Sequence, residues 1–302
     1  MTTTPKMYDT VVLGSTLAGL GAVFAAAEQK QRVLLIEAGT IAGQEFVETL
    51  QMHTGWALPA GSSAFAKRLH TEAVRRKIVR EATCDTAAFS CLLQEQLAAS
   101  GADALYMTDL TGVQRSANGF AVTFSNRSGI ATAQAGRLLD ATPEAFALRA
   151  LNLITAERPA DRWVYRGLLI AMEKINELPP SSGADVALHA GRYGTDVVLD
   201  LAGSGTPLSI AAARIALVNK VATLRTQPAW KNFSLGTTAN AVAFTPKYEL
   251  RAGALAELES AGFQAIAAWR TPQLASQPWA ALDAGVAAAR QVTAEAVAAV
   301  AR

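Results

Sequence analysis

The chain has 302 residues, of which 51% are hydrophobic, and a formal net charge of +2. This length is enough for one large domain or for a core that carries an inserted second domain. The near-neutral charge and the lack of a long basic run argue against a nucleic-acid or membrane-surface partner. No apolar run reaches transmembrane length and the N-terminus lacks a signal-peptide pattern, so we expect a cytoplasmic protein that does not bind a membrane.

The two cysteines, Cys84 and Cys91, have a separation typical of neither a redox CxxC pair nor a zinc site. We therefore expect ordinary thiols and no structural metal. The sequence also lacks a GxSxG elbow, an HExxH motif and a Walker lysine. It shows no constellation of nucleophile and base.

Residues 7–43 have the order strand, glycine turn, helix, strand and acid. The two apolar runs at residues 8–13 and 33–36 predict buried parallel strands, and the alanine-rich run at 20–29 predicts a helix between them. Glu37 follows the second strand. This order and spacing are those of a dinucleotide-binding βαβ unit.

In such a unit the glycines let the chain approach a pyrophosphate, the helix N-terminus attracts the phosphate charge, and the acid binds a ribose hydroxyl. The outer glycines are Gly14 and Gly19, while Thr16 stands where the pattern has its middle glycine. The predicted nucleotide-binding residues of this unit are Gly14, Ser15, Thr16, Leu17, Ala18, Gly19, Glu37, Ala38 and Gly43. The alternative is a βαβ unit that folds but binds nothing.

Residues 40–59 are predicted to form a loop beside the ligand crevice, because loops that leave parallel strands border it. His53 lies in this loop and is the candidate catalytic residue, although a lone histidine is more often structural. Helices are predicted at 62–80 and 86–100, the second ending at Gly101. Extended segments then follow as far as Asp140.

Residues 152–176 and 182–202 are rich in aromatic and β-branched residues and predict a small antiparallel sheet. An inserted sheet of this kind can form a substrate pocket. Its polar groups, Tyr165, Arg166, His189, Arg192 and Tyr193, are either substrate contacts or ordinary polar residues of a strand surface.

Four segments together resemble the FAD-dependent oxidoreductases of the glutathione-reductase-like, two-dinucleotide-binding class. They are residues 7–43, the helix at 87–100 with DALYMTDLTGV after it, RLLDATPE at 137–144, and the C-terminal stretch from residue 265. Within that class the chain is similar to the broad group of FAD-dependent oxidoreductases. A weaker similarity covers residues 206–244, which resemble the long helix and loop of the substrate region.

The resemblance implies an α/β fold with a Rossmann-like FAD-binding domain at residues 1–150 and 252–302 and an inserted substrate domain at 151–251. It implies FAD as cofactor and hydride transfer between the flavin and a small organic substrate, chemistry that the cofactor supplies. Further FAD-binding residues implied by the resemblance are Leu110, Ala141, Thr142, Gly285 and Val286.

The chain departs from the family pattern at Thr16, at Pro143, at residues 268–270 and in residues 245–253, where an arginine-rich strand is usual. These departures leave a second hypothesis open. In it, the chain is a non-catalytic subunit of flavoprotein fold that acts as a partner or scaffold for another chain. Whether the chain forms a homo-oligomer or joins a partner subunit is left open by the sequence. An NAD-only dehydrogenase is a third and weaker alternative.

Overall fold

The computed structural model describes residues 6–180, 183–271 and 275–300. Within these ranges the strands are β1 (Lys6–Leu13), β2 (Val33–Ile36), β3 (Val79–Arg80), β4 (Thr83–Cys84), β5 (Asp103–Leu105), β6 (Asp109–Ser116), β7 (Gly119–Asn126), β8 (Gly129–Asp140), β9 (Ile154–Arg158), β10 (Ala160–Ala171), β11 (Val186–Ala190), β12 (Asp196–Gly205), β13 (Phe233–Thr238), β14 (Ala243–Phe244), β15 (Lys247–Leu250) and β16 (Phe263–Ala265). The α-helices are α1 (Leu17–Glu28), α2 (Gln44–Val47), α3 (Ala64–Arg75), α4 (Thr86–Ser100), α5 (Phe146–Ala150), α6 (Ile210–Leu224), α7 (Ala254–Glu259) and α8 (Pro278–Val300).

The larger sheet has the strand order β5-β2-β1-β8-β7-β6, and β16 also pairs with β8. Strands β5, β2, β1, β8 and β16 run parallel, whereas β8, β7 and β6 form an antiparallel meander. All four residues of β2 are buried, as expected for a strand covered on both faces. The predicted Rossmann-like α/β fold is confirmed.

A second, antiparallel sheet has the order β11-β12-β10-β13, with β14 beside β10. Tyr165 and Leu199 belong to the core between this sheet and α6. Arg166 and Asp200 pair across β10 and β12 and contact the loop that follows α2. The predicted small antiparallel sheet is therefore present. The proposed domain boundaries, 1–150 with 252–302 and 151–251, stay predictions.

Helix α1 is buried on every side, because it packs between the larger sheet, α4 and α8. Each of the ten residues 17–26 is buried. A Cβ on Gly21 would lie 2.0 Å from the Leu282 carbonyl oxygen, and one on Gly285 would lie 1.8 Å from the Ala18 carbonyl oxygen. The two helices thus touch backbone to backbone, which only glycine permits at these positions.

Three predicted element boundaries differ from those observed. Helix α1 begins at Leu17 rather than residue 20, because Thr16 caps it and its Oγ1 accepts a hydrogen bond from Gly19 N. The predicted loop at 40–59 contains the short helix α2. The predicted helix at 62–80 ends at Arg75, before Lys77 takes a positive φ of 60°. Helix α4 and its C-cap Gly101 are as predicted.

Among the helices of the described residues, none combines the length and apolarity that a bilayer span requires.

The α1–α8 contact predicts the effect of Gly285→Ala. Alanine normally stabilises a helix interior relative to glycine by about 0.5–1 kcal/mol. Here the added methyl group meets the Ala18 carbonyl, so we expect a loss of about 1–3 kcal/mol in the free energy of unfolding. Chemical denaturation measures it, with Ala287→Ser on the exposed side of α8 as control. A stabilised Gly285→Ala variant would contradict this packing.

Candidate functional site

The first turn of α1 opens on a cavity of about 270 Å³ between the two sheets. The walls come from α1, from α2 and the residues after it, from the segment after β8, from β14 and from the start of α8. The residues that form them are Thr16, Ala18, Gln44, Glu45, Glu48, Thr49, Gln51, Ala141, Pro143, Glu144, Ala241, Val242, Ala243, Phe244, Pro246, Ile266, Ala267, Ala268, Ala275 and Ala281. The cavity lies at the carboxyl ends of the parallel strands, where open α/β sheets bind ligands.

The glycine turn between β1 and α1 is tightly packed. Gly14 has a φ of +87°, which favours glycine, and its N–H donates to the Ile36 carbonyl. A Cβ on Gly19 would lie 2.0 Å from the Gly14 carbonyl oxygen. Gly43 also contacts this turn, since its N–H donates to the Ser15 carbonyl. The outer glycines of the predicted motif are thus required by the turn itself.

Glu37 ends β2 beside the same turn and is 4% exposed. Its Oε2 accepts a hydrogen bond from Ser15 N at 2.6 Å, and its Oε1 accepts one from Gly39 N at 2.5 Å. Each carboxylate oxygen keeps further lone-pair capacity for a hydroxyl donor. Ala38 follows and is exposed. Glu37 is therefore held beside the glycine turn with acceptor capacity to spare, and its predicted role as a ribose acceptor stays a prediction.

Thr16 occupies the position of the middle glycine. Its hydroxyl donates to the Ala141 carbonyl at 3.3 Å and accepts from Gly19 N at 3.2 Å. The threonine thus ties the start of α1 to the segment after β8. It caps its own helix, and its single hydroxyl proton is already used within the protein.

The segment after β8 is fixed by Asp140, which is fully buried. One carboxylate oxygen accepts from Thr142 N and Thr142 Oγ1, and the other accepts from Ala147 N. Burial raises the pKa of Asp140 to about 6, although these three donors oppose the rise. The clamp places Ala141 in the cavity wall.

Glu45 was not identified from the sequence and lies at the centre of the site. Its Oε1 accepts a hydrogen bond of 2.7 Å from Leu17 N, at the N-terminus of α1. Burial, reinforced by the negative charge of Glu37, raises the pKa of Glu45 to about 8. The available sequence signal was an acid two residues after Gly43, within the loop already assigned to the crevice.

The cavity wall is acidic. Glu45, Glu48 and Glu144 line it, whereas none of its described lining residues is a lysine or an arginine. Burial also raises the pKa of Glu48, and Glu37 adds to the rise. A phosphate group in this cavity would meet helix N–H groups and carboxyl groups instead of cations.

Several predicted FAD-binding residues lie outside the cavity wall. Leu110, on β6, is half-buried and packs against the core of the larger sheet. The backbone of Glu37 instead bonds Leu105 and Thr108. Gly285 lies more than one turn inside α8 against α1, and Val286 is buried. Leu110, Gly285 and Val286 therefore make packing contacts inside the protein and do not line the cavity. On α8, the residue that lines the cavity is Ala281, one turn before Gly285. Thr142 borders the wall as part of the Asp140 clamp.

His53 lies outside the cavity wall, in a cluster with the second sheet. Its ring stacks on His189 with centroids 3.9 Å apart, and its Nε2 lies 3.9 Å from Asp200 Oδ2. Asp200 also accepts from Arg166 Nε at 3.0 Å, and Arg166 donates to the Thr49 carbonyl. Burial lowers the pKa of His53 to about 4. Its position favours the structural alternative over the predicted catalytic role.

His53, His189 and Asp200 bring three possible metal-ligand atoms within 4.8 Å of one another. Imidazole lone pairs lie in the ring plane, so two rings stacked at 23° do not direct them at one ion between the rings. Arg166 already neutralises Asp200. The arrangement therefore fits a buried polar contact between sheet and loop better than a metal centre.

Residues 9–153, just under half of the chain, match a family model described as FAD dependent oxidoreductase. The predictions of an FAD-dependent oxidoreductase and of FAD as cofactor are confirmed at this level. The finer assignment to the glutathione-reductase-like class is not established by this match. No curated protein matches the chain.

Solved structures share the fold at low sequence identity. A geranylgeranyl bacteriochlorophyll reductase-like protein from Thermoplasma acidophilum is similar at 16% identity with a TM-score of 0.63, over 98% of this chain and 80% of that chain. Glycine oxidase from Geobacillus kaustophilus is similar at 13% identity with a TM-score of 0.60, over 94% and 95%. The p-nitrophenol 4-monooxygenase from Pseudomonas putida is similar at 12% identity with a TM-score of 0.61, over 98% of this chain and 80% of that chain.

The burial of His53 predicts how stability depends on pH. The histidine is protonated below pH 6.5 when unfolded but stays neutral down to about pH 4 in the folded protein. The unfolded state therefore binds the extra proton, and this contribution to stability is lost as the pH falls from 6.5 to 4. We expect His53→Asn to lose stability less steeply over that interval in denaturation experiments.

The control for this prediction is His70→Asn. The pKa of His70 is also lowered by burial, but its side chain is only partly enclosed. We expect its slope to lie closer to that of the unmodified protein. Coincident slopes for His53→Asn and the unmodified chain between pH 4 and 6.5 would refute the assigned pKa.

Proposed function

We propose that the chain binds FAD across the glycine turn and the cavity and uses it to oxidise or reduce a small organic molecule held between the two sheets. The observation that carries this is the joint position of the α1 N-terminus, Glu37 and the cavity. All three lie at the carboxyl edge of the parallel strands. When bound, the flavin supplies hydride transfer.

The chain's own residues fit the adenosine end of FAD. Gly14 and Gly19 form the tight turn, and Glu37 is held by two backbone N–H groups in the place of a ribose acceptor. The first turn of α1 opens on the cavity and offers N–H groups to a phosphate. The site differs from the usual dinucleotide-binding pattern at the expected phosphate position, because the carboxyl group of Glu45 lies there.

The second sheet is proposed as the substrate side. Ala243 and Phe244 of β14 line the cavity opposite Ala141 and Ala281. These surfaces are apolar, as is common in pockets that enclose a small ligand and exclude water. The hydrophobic lining favours a substrate with an apolar body. We also assign residues 151–251 to this substrate domain as a proposal.

The non-catalytic alternative is favoured by one specific observation. The wall of the cavity carries Glu45, Glu48 and Glu144 and, among its described residues, no cation that could balance a diphosphate. Flavin binding distinguishes the two functions, because a degenerate subunit has no use for the cofactor.

We expect denatured protein to release FAD, identified by chromatography, and refolded protein to bind FAD more tightly than FMN. FMN lacks the adenosine ribose that Glu37 is placed to bind. Glu37→Gln should weaken FAD binding by about tenfold, the loss of roughly one charged hydrogen bond. Glu173→Gln, an exposed acid, serves as the control and should not change it.

Two results would overturn the proposal. One is release of FMN instead of FAD. The other is a refolded protein, with native circular dichroism, that binds no flavin in excess FAD. The second result would favour the non-catalytic subunit.

A further inference from the structure

Glu45 lies where a phosphate is expected to bind. Its Oε1 accepts the Leu17 N–H at the N-terminus of α1, a helix of 12 residues whose first turn carries no charged side chain. A helix N-terminus of this kind is the usual anion site of a βαβ nucleotide fold. We propose that Glu45 gates this position, so that FAD binds the form of the protein in which the Glu45 carboxyl group is protonated. This inference rests on the proposed function.

Glu45 belongs to the short helix α2, which is held in place by the packing of aromatic side chains. The neighbouring Phe46 is 2% exposed and packs edge-on against Trp56, with ring centroids 5.5 Å apart. The Trp56 indole N–H donates to the Gln51 carbonyl, and the Trp279 indole N–H donates to the Trp56 carbonyl. Helix α2 is thereby held against α8 and α4. This packing fixes the backbone of α2 and therefore the point from which the Glu45 side chain extends.

The surroundings of the second carboxyl oxygen of Glu45 indicate which protonation state is compatible with a bound phosphate. Oε2 is buried and has no hydrogen-bond partner among the described residues. An ionised carboxylate there would repel a diphosphate and compete with it for helix N–H groups. A protonated carboxyl keeps its acceptor bond to Leu17 and adds an Oε2–H donor next to the start of α1. A phosphate oxygen is the acceptor that this orphaned atom lacks.

The charged groups around Glu45 also favour its protonated form. Glu37 lies behind the turn, Glu48 follows α2, and Glu144 faces the cavity from the segment after β8. The nearby cation Arg166 bonds the Thr49 carbonyl but is paired with Asp200. On α8, Asp283 accepts from Ser63 N. Among the described residues of the cavity wall, no lysine or arginine therefore offsets an ionised Glu45, and the Leu17 N–H only partly opposes the rise of its pKa.

The direction of the pH effect follows from linkage. The pKa of Glu45 is raised to about 8 before FAD binds, chiefly by burial, and the negative diphosphate raises it further. FAD thus prefers the protonated protein. Affinity is constant well below pH 8 and weakens by about tenfold for each pH unit above it, a slope of one proton.

The test is isothermal calorimetry of FAD binding to the full chain between pH 6.5 and 9.5. For the unmodified protein we expect the dissociation constant at pH 9 to be about tenfold higher than at pH 7. Titrations at pH 9 in two buffers of different ionisation enthalpy should report uptake of close to one proton, because a group of pKa about 8 is almost fully ionised there. Thermal unfolding at each pH confirms that the protein is folded.

Two variants make the test specific. Glu45→Gln keeps a donor and removes the charge, so its FAD affinity should be independent of pH and should exceed that of the unmodified chain at pH 9. Glu48→Gln removes another acid with a raised pKa from the same wall and is the matched control. It should keep the tenfold pH dependence. Equal flattening in both variants would overturn the role of Glu45 and indicate a general acidic field.

The remaining outcomes separate this inference from the proposed function. Tight FAD binding that is independent of pH in the unmodified protein overturns the gate and leaves the FAD function standing. Failure of the folded unmodified protein and of folded Glu45→Gln to bind FAD at any pH overturns both. Binding by Glu45→Gln alone would show a carboxylate that closes the site at every pH tested, and it would overturn the proton-coupled form of the proposal.

Discussion

The fold and the site both depend on the close backbone contacts around α1. This helix is buried along its length, with Gly19 against the Gly14 carbonyl and Gly285 of α8 against the Ala18 carbonyl. Such contacts leave no room for side chains, so the helix cannot shift relative to the sheet or to α8. Close-packed interiors transmit small displacements rather than absorb them. The N-terminus of α1 is therefore held rigidly at the edge of the cavity.

Two acids, Glu37 and Glu45, bond this rigid start of α1 and therefore influence what can bind there. Glu37 and Glu45 approach the same turn from β2 and from α2, and each accepts one of its backbone N–H groups. Burial raises the pKa of the second of these, Glu45, to about 8. Two carboxyl groups thus lie beside the start of α1: Glu37, which we propose as the ribose acceptor, and Glu45, which we propose as the gate of the phosphate position.

The second sheet is joined to the first by polar as well as apolar contacts. Arg166 links Asp200 to the Thr49 carbonyl, and the stacked pair His53 and His189 covers the same carboxylate. Removing one member of a buried pair of this kind leaves an uncompensated charge, which typically costs several kcal/mol. The cluster therefore sets the position of the loop after α2 and, through it, one wall of the cavity.

The sequence by itself determined the elements whose signals are local. The βαβ unit, helix α4 with Gly101, the meander ending at Asp140 and the antiparallel second sheet follow from periodicity, glycine positions and strand propensity. Gly14, Gly19 and Glu37 follow from spacing within one short unit. The tertiary structure alone decided the roles of Thr16, Glu45, His53 and Gly285. Each depends on a partner distant in sequence: Ala141, Leu17, His189 with Asp200, and Ala18, respectively. Burial and pairing between remote segments, which set the pKa of Glu45 and the packing of α8, leave no periodic trace in the chain.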